Sequence, residues 1–152
     1  GNSAGHNVEQ EAYSILDKLG VAHLAMSFLD QLSGGQKQLI GLAQSLIREP
    51  DLLLLDEPLS ALDLNYQFHV MDIVARETRQ RNIVTVVVIH DINIALRHAE
   101  YALMLKSGEL IASGVPGEVV TPASLARVYG VDGRVEYCSR GLPHVVVDGL
   151  TP

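Results

Sequence analysis

Two adjacent carboxylates, Asp56 and Glu57, follow four consecutive leucines, Leu52 to Leu55. A carboxylate at the carboxyl end of a strand is a hard oxygen donor suited to magnesium, directly or through water. A second one beside it can orient or deprotonate a water. Adjacent strand residues point to opposite sides, so both acids serve one site only where the strand ends and bends. Pro58 supports an ending at that point. Taken alone, the pair also reads as two solvated acids at a strand exit.

Ser33-Gly34-Gly35-Gln36 is the second constellation. A helix start leaves backbone N–H groups unpaired and carries partial positive charge, which attracts phosphate. Two glycines remove the side chains that would keep an anion from those groups. Ser33 can cap the helix or offer its hydroxyl to the anion, and alone it reads as an ordinary cap. His90 is the third candidate. It closes an apolar stretch of strand character, as Asp56 does, and a neutral imidazole there can bond a phosphate oxygen or a water. It also reads as a cap for the following helix, a place that Asp91 can fill instead.

These groups need elements to hold them. Val8, Ala12, Ile15, Leu16 and Leu19 recur at helical spacing, with Asn7 as a cap and Gly20 as a stop. A second helix is expected over 34–48, with Leu39, Leu42, Ala43 and Leu46 as its stripe and Pro50 ending it. The unbroken leucine run suits a strand covered on both faces. A helix over 64–79, with Tyr66, Val70, Ile73 and Val74 inward, leads to a β-branched strand over 82–90. A short helix follows, then a hairpin turning at Ser107-Gly108. Two proline-led helices, at Pro116 and Pro122, and two short strands complete an α/β order.

The bulk composition agrees with a folded chain and narrows its partners. Of 152 residues 47% are hydrophobic, and the net charge is −7, the wrong sign for a nucleic-acid backbone binder. A single cysteine, Cys138, excludes an internal disulfide, and the six histidines show no HExxH spacing. No apolar run approaches the roughly 18 residues of a membrane span.

The order of these features makes the reading specific. "LSGGQ" (Leu32–Gln36) matches the signature motif of ABC transporter ATP-binding subunits. "LLLLDEP" matches that family's Walker B segment with its glutamate, "SALD" (Ser60–Asp63) its D-loop, and His90 its switch histidine. The chain resembles such a subunit over nearly its whole length, and from His90 to Val131 it is similar to those serving iron–siderophore, haem and cobalamin importers. The resemblance implies a P-loop NTPase-like α/β fold, a mostly parallel sheet flanked by helices, with part of the helical subdomain. It implies ATP and Mg²⁺ as ligands, with Asp56 on the metal, Glu57 polarising the attacking water and His90 at the γ-phosphate or that water. Ser33, Gly34, Gly35 and Gln36 would contact ATP held mainly by a second subunit, and Asp63 would couple the two sites. The implied partners are a second ATP-binding subunit, transmembrane permease subunits and, indirectly, a substrate-binding protein, at the cytoplasmic face of the membrane. No nucleic acid is implied.

One departure is large: no GxxxxGK followed by Ser or Thr occurs in the chain. The sequence therefore reads as the C-terminal part of such a domain, without Walker A and Q-loop. On that reading 1–48 is a remnant of the helical subdomain, 49–115 the catalytic α/β core, and 116–152 C-terminal helices and strands. Alone it is expected to be inactive, with self-association where its leucine strand loses cover. A non-transport ABC ATPase and a non-catalytic dimerisation module are the alternative readings.

Overall fold

The computed structural model describes residues 3–151, with side chains from residue 8 onward. The chain divides into two compact units, residues 1–89 and 90–152.

In the first unit, α1 (Ser3–Lys18), α2 (Gly34–Ile47) and α3 (Leu64–Arg81) accompany a parallel pair, β1 (Leu52–Asp56) and β2 (Val84–Val88). Helix α1 starts before Asn7, which therefore lies inside the helix instead of capping it. Its expected stripe holds only toward the C-terminal end: Ile15 and Leu19 are buried, whereas Val8 is exposed. Helix α2 follows its periodicity closely. Leu39, Leu42, Ala43 and Leu46 are its buried residues, and Arg48 is the C-cap. Helix α3 buries Val70, Met71, Ile73 and Val74 and ends at Asn82 in the left-handed conformation. Tyr66, read as inward, is exposed because it lies in the first turn, ahead of the buried stripe.

Strands β1 and β2 pair in register from Leu52↔Val84 to Asp56↔Val88. The expectation of cover on both faces is corrected here. Leu53 is buried and Leu55 half-buried, but Leu52 and Leu54 are exposed, as are Val84, Val86 and Val88 opposite them. Successive side chains alternate between faces, so one face of the pair is packed and the other is bare within this chain.

A buried acid ties the three helices of this unit together. Glu77 on α3, 2% exposed, takes hydrogen bonds from Lys18 Nζ at 2.7 Å and Arg81 Nε at 2.9 Å. Arg81 Nη1 continues to the Leu46 carbonyl at the end of α2, 3.1 Å away. Burial by itself would raise the Glu77 carboxyl, but the Lys18 hydrogen bond and the charges of Lys18 and Arg81 outweigh it. The group is held below the usual carboxylate range.

The second unit contains α4 (Ile92–His98), the hairpin β3 (Ala102–Lys106)/β4 (Glu109–Gly114), α5 (Pro116–Val119), α6 (Pro122–Tyr129) and the hairpin β5 (Val131–Tyr137)/β6 (Pro143–Leu150). Both hairpins are antiparallel. The first turns through Ser107 and Gly108, both at positive φ, as a two-residue hairpin turn requires. Leu96, Met104, Val119, Val120 and Leu125 form its core. Cys138 is a free, exposed thiol.

Candidate functional site

Asp56 is the last residue of β1, at the carboxyl end of a parallel strand, where open α/β sheets gather ligands. Glu57 then takes φ 45°, a left-handed conformation that non-glycine residues seldom adopt. That single residue is the bend the two acids need. Strand β1 stops, and Glu57 leaves the alternation that would have turned it away from Asp56. Its backbone remains tied to the sheet, since Glu57 N–H donates to the Val88 carbonyl at 3.2 Å. Both acids are exposed and Pro58 and Leu59 behind them are buried, so the carboxylates stand on an anchored rim. Asp56 offers hard, solvent-facing oxygens of the kind Mg²⁺ prefers, and the donor set fits that ion.

The glycine-led helix is capped as its composition suggests. Ser33 Oγ accepts from Gln36 N–H at 3.2 Å, and Ser33 N–H donates to Gln36 Oε1 at 2.9 Å, a reciprocal capping box. This arrangement occupies the Gln36 amide oxygen and leaves the amide groups of Gly34 and Gly35 at the head of the helix. Gly35 is constrained from the other side as well. A Cβ there would lie 2.8 Å from the Ala61 carbonyl oxygen and 3.3 Å from Leu62 Cδ2. The signature glycine thus permits close approach of the loop 57–63 of its own chain, a requirement the phosphate argument does not contain.

Asp63 closes that loop as the N-cap of α3, its Oδ1 accepting from Tyr66 N–H at 2.9 Å. His90 lies two residues beyond the end of β2 and opens the second unit. It is not the cap of α4: Asp91 is, accepting from Asn93 and Ile94 N–H at 2.8 and 3.1 Å. The structure thus brings Ser33–Gln36 and the loop from Glu57 to Asp63 together within one unit.

Two residues outside the motif reading hold this loop. Gln38 Nε2 donates to the Glu57 carbonyl at 3.0 Å and to Ser60 Oγ at 3.1 Å, and Ala61 N–H donates to Gln38 Oε1 at 3.2 Å. Gln67 Nε2 donates to the Leu62 carbonyl at 3.0 Å. Only their long neutral amides could have signalled this, and glutamine is too common in helices to stand out.

Residues 2–60 match the family model for ABC transporters. An ABC transporter ATP-binding protein of Methanocaldococcus jannaschii is 41% identical over 90% of this chain and 53% of its own length. Over most of its length the chain is similar to ABC transporter ATP-binding proteins. A hemin import ATP-binding protein of Photobacterium damsela subsp. piscicida is 39% identical over 84% of this chain and 49% of its own. Among solved structures, an ABC transporter assigned to the metal-chelate type, in an inward-facing conformation, aligns with a TM-score of 0.76 and 32% identity. That alignment covers 91% of this chain and 56% of the other. The chain spans about half the length of the curated relatives it matches. Among the described residues no helix is long and apolar enough to cross a membrane.

Proposed function

We propose that this chain supplies the hydrolytic acids and the signature helix of an ATPase subunit that drives an importer, with haem or iron–siderophore cargo. The observation that carries the proposal is the left-handed Glu57 following Asp56 at the end of a parallel strand, in the same unit as a capped, glycine-led helix. The hemin import relative supports the cargo class.

In this reading Asp56 would hold Mg²⁺, which would supply positive charge against the phosphates of ATP. Glu57 orients the attacking water and draws its proton as the water oxygen bonds to the γ-phosphorus. The bond from that phosphorus to the bridging oxygen breaks, and the electron pair leaves with ADP. His90, assigned by motif, steadies the γ-phosphate or the water. Ser33, Gly34, Gly35 and Gln36 meet ATP held by a second subunit, and Asp63 links the two sites. Catalysis of this kind is positioning plus charge stabilisation. Permease subunits, a substrate-binding protein and a place at the inner face of the membrane follow from the same reading. The chain alone, with no GxxxxGK[ST] loop in its sequence, is expected to bind MgATP weakly and turn it over at background rate.

The test is steady-state ATP hydrolysis by the full-length protein. Glu57→Gln keeps the side chain's size and removes the base, and a loss of about 100-fold or more in kcat is expected, with KM changed little. Turnover at the parent rate would refute the role of Glu57.

A further inference from the structure

Gln38 lies one turn into the signature helix, and no motif assigns it a role. Its whole amide is spent on the loop that follows Asp56: on the Glu57 carbonyl, the Ser60 hydroxyl and the Ala61 N–H. Glu57 is the strained residue of that loop, at φ 45°. Such a conformation persists only where its surroundings over-determine it. Val88 holds the N–H of Glu57 and Gln38 holds its carbonyl, so the two ends of the residue are anchored to different elements, β2 and α2. The far end of the loop hangs on α3 through Gln67. Gly35, on the same helix as Gln38, has no room for a Cβ against the Ala61 carbonyl, so the helix end and the loop are in direct contact as well.

We propose that Gln38 is a positioning residue that couples the head of the signature helix to the backbone of Glu57. A nucleotide arriving at Ser33–Gln36 and the hydrolytic setting of Glu57 in the same chain then become one event. The inference rests on the ATPase reading and adds to it a link between the two nucleotide sites a subunit serves. The link is geometric and not electrostatic, because the amide is neutral. A side chain of equal length without the donors breaks it. A glutamate breaks half of it, since it can still accept from Ala61 N–H but sets a carboxylate against the Glu57 carbonyl.

Gln38→Met and Gln38→Glu in the full-length protein test this beside Glu57→Gln. Expected for both Gln38 variants is a fall in kcat of about tenfold, a KM within about twofold of the parent and a Hill coefficient for ATP near one. A second readout needs no turnover: amide hydrogen exchange at Ala61 should accelerate about tenfold in Gln38→Met without nucleotide, while amides in the middle of α2 keep their protection. Parent-like kcat and Hill coefficient in Gln38→Met, or unchanged exchange at Ala61, would overturn the coupling. So would a loss of activity in step with loss of α2 protection, since that is what a merely structural role predicts. A Glu57→Gln protein that still turns over sinks the hydrolytic reading instead, and an inactive Glu57→Gln beside a fully active Gln38→Met sinks only the role of Gln38.

Discussion

Two glycines less than two turns apart on one helix face different physics, and Gly35 and Gly41 show it. Around Gly41 nothing lies within 4 Å of an added Cβ, whereas at Gly35 the Ala61 carbonyl lies at 2.8 Å. Gly41→Ala should therefore stabilise the chain by about 0.5–1 kcal/mol through helix propensity. Gly35→Ala should destabilise it by about 1–3 kcal/mol, because α2 and the loop must separate. Urea denaturation of both variants checks the pair, and equal effects would remove the packing argument for Gly35. At this scale the motif residues are legible as types: acids, glycines and a histidine. The left-handed turn at Glu57 and the amide of Gln38 are not, because both arise from contacts across 19 or more residues. No local pattern encodes such contacts.

The helices and strands came through the sequence best where periodicity and capping residues agreed. Helix α2 is the clearest case, with a Ser33 cap, an apolar stripe and Pro50 beyond its end. Helix α1 begins at Ser3, a turn earlier than Asn7 suggested. The leucine run failed differently. Its apolar character on both sides said what the strand is made to meet, not what this chain brings against it. In the Glu77 cluster Arg81 is a local i,i+4 partner on α3, whereas Lys18 lies 59 residues away and meets Glu77 only through packing, which no local pattern encodes. Glu77→Leu strands Lys18 and Arg81 without their partner and should cost about 2–3 kcal/mol, less than for a fully enclosed pair because Lys18 is partly exposed. The pH dependence has a definite sign. The folded carboxyl is held below its ordinary value, so its contribution is complete above the unfolded pKa of about 4.3 and is lost as pH falls through the lower folded value. The parent should lose stability across that acidic window more steeply than Glu77→Leu, measured as the difference in unfolding midpoint between pH 6 and pH 3. Parallel curves would show that the cluster does not hold the three helices.

At the scale of the whole molecule, the bare side of the β1/β2 pair sets the behaviour of the chain by itself. Leu54 is 67% exposed and Val84 63%, with Leu52, Val86 and Val88 alongside. Among the described residues β1 pairs only with β2, so a strand edge accompanies the apolar face. Contiguous apolar surface next to an open edge favours pairing with another copy. Sedimentation velocity should show species larger than a monomer at high concentration, and Leu54→Lys with Val86→Thr should return the chain toward monomer. A parent that stays monomeric throughout would contradict this. The central claim concerns a different association, one driven by nucleotide. In the full-length protein, Glu57→Gln should sediment as a dimer with MgATP and as a monomer without it, because on the proposed reading unhydrolysed ATP would bridge one subunit and the signature helix of the other. Adding Ser33→Arg, which fills the head of that helix with a bulky side chain, should abolish the dimer while each subunit still binds ATP. An ATP-dependent dimer that forms equally well with Ser33→Arg would mean that this helix does not face a partner's nucleotide.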